Sequence, residues 1–255
     1  MRDPSSIDGT VRRMKARTLY EAGELGGAID VLGQELRDDP TDVRKRTFLF
    51  ELLCFAGQRD RAEKHLDVLA RGGKDAEMGA LLYRAALHAD RERDQKFRDE
   101  DFPRGDGGPP PVRGTLNGDA FASFEDADPR IGARLEVYAG GQYTWLPLEH
   151  VSRLQVDEPK RLRDLLWAPA RVQVGPELES LELGEVLVPV LSPLSADSPD
   201  DRLRLGRATD WAETSDGLPY PVGQKLFLVD GEAVPLLELR ELVIEGSAND
   251  ADSGG

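Results

Sequence analysis

"LYEAGELGGAIDVLGQELRDDP" (residues 19–40) and "LLCFAGQRDRAEKHLDVLARGGKD" (residues 52–75) carry one pattern written twice, 34 residues apart. Leu19 is matched by Leu53, Gly23 by Gly57, Ala28 by Ala62 and Leu32 by Leu66. A period of 34 is that of tetratricopeptide repeats, in which each unit is a helical hairpin. The residue types suit that geometry. Small Ala28 and Ala62 let two helices approach closely, and Leu32 and Leu66, one turn on, fill the space between hairpins. Gly23 and Gly57 fall in the turns between paired helices, where a positive φ costs glycine little. Pro40 stands where the pattern places its terminating proline. The stretch "DVRKRTFLFELLCF" (residues 42–55) is apolar on too many sides for a one-sided helix, so it is expected to be covered by more than one neighbour. The array then decays. Leu87 continues the Leu19–Leu53 series, but Lys96 occupies the position at which Ala28 and Ala62 predict a small residue. Two full hairpins and a partial third are expected, with the stump docking on the second domain or ending in an atypical cap.

"PRGDGGPPPVRG" (residues 103–114) cannot be crossed by a helix, and the charge balance changes at the same place. Residues 1–100 carry 19 Lys and Arg against 20 Asp and Glu, whereas residues 101–255 carry 14 against 28. Beyond this seam the signals are those of short strands. Asn117-Gly118 and Gly140-Gly141 each separate two apolar-polar runs in the manner of two-residue hairpins. "VSRLQV", "ARVQV", "GEVLVPV", "RLRLGRA", "QKLFLVD" and "VPLLELRELVI" supply further strands, and "PKRLRDLLW" reads as a short helix. The expected fold class is therefore α+β: tetratricopeptide-like hairpins over residues 1–102, a Gly/Pro-rich linker over 103–113, a mostly antiparallel β domain over 114–245, for which a partly closed barrel is one form, and a disordered acidic tail over 246–255.

Composition excludes several function classes. No stretch approaches the roughly 20 apolar residues of a membrane helix, and "MRDPSSIDGT" lacks the apolar core of a signal peptide. Cys54, the single cysteine, lies among Leu52, Leu53 and Phe55 and reads as a small buried hydrophobe. These features point to the cytoplasm. An acidic second half repels phosphate backbones and anionic lipid, so neither nucleic acid nor membrane is an expected partner; the basic run "RRMKAR" (residues 12–17) reads as a solvated helix face. His65, His88 and His150 have no second ligand at metal-binding spacing. There is no GxSxG, and the glycines of "RGDGGPPP" lack the Lys-Ser/Thr of a phosphate loop. Glu125, Asp126 and Asp128 could serve as an acid–base pair, but in "FEDADPRIG" they read more simply as a turn or helix cap ahead of Pro129. Tyr138, Tyr143, Trp145, Trp167, Trp211 and Tyr220 are expected first of all as core. No catalytic, cofactor or metal site emerges from these residues.

"DADPRIGARLEVYAGGQYTWLPLEHVSRLQVDEP", "LRDLLWAPARV" and "VPLLELRELVI", together with the opening helices from residue 19, resemble the ImpE family, also called TagJ or SciE-type proteins. The likeness runs in order from about residue 12 to 245. Ala133 stands where the family pattern has proline, and residues 72–102 are more polar than is usual. The resemblance implies a non-enzymatic accessory protein of the bacterial type VI secretion system that binds the N-terminal helix of the small sheath subunit TssB and influences sheath recycling by the ATPase ClpV. The readings set against it are a hydrolase built on residues 125–128 and a general helical-repeat scaffold unrelated to secretion.

A repeat array holds a helix on the concave side, which the first helices of successive hairpins line. That logic selects Phe48, Leu52, Tyr83 and Leu87 as protein-binding residues, exposed because the third hairpin is incomplete. The rival location is the β domain, whose acidity would favour a helix carrying Lys or Arg.

Overall fold

The computed structural model describes residues 15–102, 112–175, 178 and 183–246. Among the described residues five helices come first: α1 (Ala16–Glu21), α2 (Leu25–Asp38), α3 (Val43–Phe55), α4 (Arg59–Leu69) and α5 (Lys74–Arg98). The 34-residue repeat is physical. Gly23 and Gly57 have φ of 84° and 66°, and the same hydrogen bond closes both turns, with Glu24 N donating to Leu19 O and Gln58 N to Leu53 O, each at 2.9 Å. Ala28 and Ala62 are fully buried, and Leu32 and Leu66 nearly so. In α3, where Asp42 caps the N-terminus by accepting from Lys45 N, every residue from Leu49 to Phe55 is buried. Such a helix has neighbours on several sides.

The third unit departs from the pattern. Where a second helix of the pair would begin, α5 continues unbroken for 25 residues. Its C-terminal half is committed to the sheet, and Phe97 stacks on Phe102 with ring centroids 5.5 Å apart.

Among the described residues ten strands form one antiparallel sheet: β1 (Val112–Leu116), β2 (Asp119–Asp126), β3 (Arg134–Ala139), β4 (Gln142–Pro147), β5 (Val151–Val156), β6 (Trp167–Val174), β7 (Glu185–Pro189), β10 (Leu226–Val229), β11 (Glu232–Pro235) and β12 (Glu241–Ile244). Their order is β11-β10-β2-β1-β12-β5-β6-β7-β3-β4, and β8 (Thr209–Glu213) pairs separately with β9 (Pro219–Gly223). The Asn117-Gly118 and Gly140-Gly141 turns have positive φ at both positions, as a two-residue hairpin requires. The sheet curls on itself. Leu135 and Val137, from a strand near one end of the order, share a buried cluster with Phe124 and Phe227 near the other. Side chains alternate along a strand, so β3 serves two cores: Leu135 and Val137 fill the curl, while Tyr138 joins a second cluster with Leu53, Leu87 and Trp167. Helices and sheet thus share buried apolar contacts.

Several expectations need correction. "RLRLGRA" is no strand: α6 (Asp201–Arg204) forms instead, because Asp200 caps it by accepting from Arg202 N at 2.8 Å. "VPLLELRELVI" is two strand segments split by a 3-10 turn at Leu236–Glu238. "PKRLRDLLW" holds a 3-10 turn, Leu162–Leu165, rather than an α-helix. Of the expected linker, residues 103–111 lie outside the described residues and Val112 and Arg113 already belong to β1. Of the expected tail, Gly246 is in a turn and residues 247–255 lie outside the described residues.

Candidate functional site

The open end of the repeat array is apolar. Met78, Leu81 and Leu82 on α5 are 69%, 59% and 52% exposed, and their i, i+3, i+4 spacing sets them in one stripe. The neighbouring face of α5 is closed by ion pairs to α4: Arg84 to Asp67 at 2.7 Å, and Arg91 to Asp60 at 3.0 Å and Glu63 at 2.8 Å. Repeat units bury their faces on the next unit, and among the described residues no further helical unit follows α5. Beside the stripe a cleft of about 580 Å3 runs down to the sheet, floored by Tyr83, Tyr138, Trp167 and Leu187. Tyr83 stacks on Trp167 at 6.2 Å, with the Arg163 guanidinium 4.6 Å from its ring. The β3–β4 turn rides on the helix, since a Cβ at Gly141 would lie 3.1 Å from that of Ala85.

The other half of α5 is fastened by charge. Arg93, 3% exposed, grips Glu136 of β3 with two bonds of 2.8 and 2.7 Å and donates to Leu191 O at 3.0 Å. Lys225 sits 2.7 Å from Glu136 and pairs with Asp126. The Tyr143 hydroxyl donates to Glu136 and accepts from Trp145 Nε1. Nearby, Tyr138 donates to Asp90 at 2.8 Å, and Arg59 bridges Asp90 and Asp94 at 2.6 and 2.7 Å. Burial alone would raise the Glu136 carboxyl, but Arg93 and Lys225 overcome it and hold the group well below the usual carboxylate range. Asp126 goes the other way: burial pushes it up to about 7, Lys225 opposes, and Glu136 and Asp128 add to the rise.

That network decides the acidic cluster. Asp126 and Asp128 are 3% and 0% exposed. Both shape a turn, Asp126 accepting from Asp128 N and Asp128 from Arg130 N. Asp128 is also held by Arg130 at 2.6 Å, whose guanidinium lies 3.8 Å from the Tyr220 ring. Neither carboxylate lines the cleft beside α5 or the one beside α1 and α3, so neither is placed to meet a substrate there. Among the described residues, no group of three or more His, Cys, Asp or Glu is arranged around a metal position, and no helix is long and apolar enough to cross a membrane. Cys54 is buried, and burial raises its thiol well above the ordinary value.

The four residues selected from the repeat do not form one groove. Leu52 and Leu87 are fully buried and belong to the core: Leu87 occupies the repeat position of Leu19 and Leu53, which faces the inside of the stack. Tyr83 lines the cleft beside α5, whereas Phe48 lines a different one beside α1 and α3. The exposed apolar stripe is instead Met78, Leu81 and Leu82, whose helical spacing is visible in "MGALLYRAALHAD". The buried pairs Arg93–Glu136 and Lys225–Asp126 had no local signal, since each joins residues roughly 40 to 100 positions apart.

The architecture defines an α+β protein in which a truncated helical-repeat array is locked onto a curled antiparallel sheet and ends in an open apolar face. Residues 118–243 match the ImpE protein family. A Pseudomonas aeruginosa relative named type VI secretion system accessory component TagJ is 31% identical in an alignment 278 positions long that takes in 94% of each chain. The chain belongs to the ImpE family. The crystal structure of a Vibrio parahaemolyticus protein shares the fold, with a TM-score of 0.77 at 22% identity over 90% of this chain and 97% of that one.

Proposed function

We propose that this protein is a non-enzymatic accessory component of a type VI secretion system, working in the cytoplasm, that holds the N-terminal helix of the sheath subunit TssB and so modulates ClpV-dependent sheath recycling. The secretion context rests on the P. aeruginosa relative, whose name is that of an accessory component. The partner rests on the family resemblance. The observation that carries the docking mode is the exposed stripe of Met78, Leu81 and Leu82 at the end of the array. An amphipathic helix with apolar residues at i, i+3/i+4 and i+7 would take the place of the second helix that the third hairpin lacks, with Tyr83 in the adjoining cleft as a deeper contact. Held charges flank the stripe, so the apolar contact supplies affinity and the rim supplies orientation.

Calorimetry with the full-length protein and a synthetic TssB N-terminal helix tests this. Micromolar affinity, about −8 kcal/mol, is expected. Leu81→Glu should weaken it at least tenfold and Phe48→Ala should leave it unchanged. Loss with Phe48→Ala but not with Leu81→Glu would move the docking site, and no heat with any form would remove the function.

A further inference from the structure

On the other side of the 3-10 turn at residues 162–165 lies a larger cleft, about 1190 Å3, between α1, α3 and residues 159–165. Its floor is apolar. Tyr20 and Phe48 meet edge to face at 5.6 Å, and Leu162 and Leu165 close the far wall. Its rim is basic, in a chain whose net charge is −15. Both acidic residues in the lining are already engaged, Glu35 by Lys45 at 3.1 Å and Glu51 by Arg163 at 3.3 Å. Lys15, Arg44, Lys160 and Arg161 also line it, are exposed, and make no ion pair among the described residues, and Arg161 also hydrogen-bonds the Tyr83 side chain. Elsewhere Arg59, Arg84, Arg91 and Arg153 are all paired. The rim is built rather than incidental. The Asp164 carboxylate accepts from the backbone N–H of both Lys160 and Arg161 at 2.9 Å, and Arg163 anchors the same turn on Glu51 of α3.

We propose that this cleft is a second docking site, for an acidic peptide segment that places apolar side chains on the Tyr20–Phe48 floor and carboxylates against Lys15, Arg44, Lys160 and Arg161. Like charges gathered around one apolar floor repel each other until an anion arrives, and a protein of opposite overall sign keeps only the locally complementary ligand in place. A peptide suits the site better than a nucleic acid strand. The strand's phosphates would feel the acidic remainder of the chain along their whole length, and the floor rewards aliphatic burial. Lys160 and Arg161 stand between this cleft and the one beside α5, whereas the Tyr20–Phe48 floor, Lys15 and Arg44 belong to this one alone, and the proposal stands without the sheath-helix reading.

The test is fluorescence anisotropy of the full-length protein with a labelled 16-residue amphipathic peptide of Leu, Phe and Glu. The same peptide with each Glu replaced by Lys, one with each Leu and Phe replaced by Ser, and a single-stranded 20-nucleotide DNA serve as controls. The Glu peptide should bind at least tenfold tighter than all three. Binding should fall at least tenfold with Arg44→Glu combined with Lys160→Glu, about threefold with Lys160→Gln alone, and not at all with Leu81→Glu. Equal or tighter binding of the Lys peptide, the Ser peptide or the DNA would overturn the proposal, as would indifference to both rim variants.

Discussion

The two halves of α5 invert the usual rule in opposite senses. From Met78 to Leu82, large apolar side chains face water; from Asp90 to Asp94, charged side chains are buried or half-buried. In the second half the charges are matched. Arg93 finds Glu136, and Asp90 is held by Tyr138 and Arg59. That half is a finished interface between array and sheet, in which each desolvated charge has its partner. In the first half the apolar side chains have no such cover among the described residues. Exposed apolar patches rimmed by polar residues are what partner-binding surfaces present, and this stripe carries the docking reading proposed above. On the proposed reading, the contrast separates holding the fold together from holding a partner, on one helix.

The largest expected effect falls on the finished interface. Removing one member of a buried ion pair strands the other, which typically costs about 3–5 kcal/mol. Arg93→Ala should therefore lower the urea midpoint by far more than any substitution on the stripe. Replacing both Arg93 and Glu136 with apolar residues should recover part of the loss, although Lys225 then loses one of its two carboxylates. Leu87→Ala, in the fully buried repeat position, should cost about 2–5 kcal/mol. On the same reasoning we propose that helical and β regions are structural units which do not separate on cleavage. A specific protease site placed among residues 103–111 should give two fragments that co-elute in size exclusion, and Arg93→Ala should release them. Fragments of the parent protein that part on cutting would show that the buried pairs are not what joins them.

A smaller effect depends on pH. Asp126 has a folded pKa of about 7 against an unfolded value near 3.8. The folded state therefore binds more protons than the unfolded one between those values. Its contribution to stability is full below about pH 4, declines by about 1 kcal/mol per pH unit as pH rises, and levels off above 7. Glu136 has the opposite sign: its contribution is present above about pH 4.5 and is lost only at low pH. His65 also opposes Asp126, since burial and then Arg46 lower its pKa. The informative quantity is thus the difference between parent and Asp126→Asn, in which the His65 contribution cancels. That difference should fall between pH 5 and 7 in chemical denaturation. A flat difference would mean that Lys225 keeps Asp126 ionised throughout.

Legibility in the sequence divides along the same line. The repeat could be read because Gly23 and Gly57 each close a turn within one unit and Leu19 and Leu53 recur at the same step of each unit, and the Gly140-Gly141 turn because two positive φ angles demand a particular residue type. The family resemblance was legible for the same reason, resting on long local strings. The junction was not. Arg93, Asp126, Glu136 and Lys225 come from four separated stretches, and in each stretch a charged residue reads as solvent-facing. The error at Leu52 and Leu87 had a remedy in hand. Leu87 stands in the Leu19–Leu53 series, and a position kept through every repeat is one that touches the adjacent repeat. A residue that binds a partner should instead be apolar outside that series, as Met78 and Leu81 are.

The smallest expected effect sharpens the contrast most. Leu81 is 59% exposed, so Leu81→Gln removes little buried area and should change stability by no more than about 0.5 kcal/mol. Leu87 lies six positions further along the same helix. If exposure decides, the two substitutions differ several-fold in stability, and their order reverses for binding of the sheath helix, where Leu81→Gln weakens binding while the fold is untouched. A loss of more than about 1 kcal/mol in Leu81→Gln would mean that the stripe is already covered by this chain itself. The first half of α5 would then be a second finished interface, and the docking site would have to lie elsewhere.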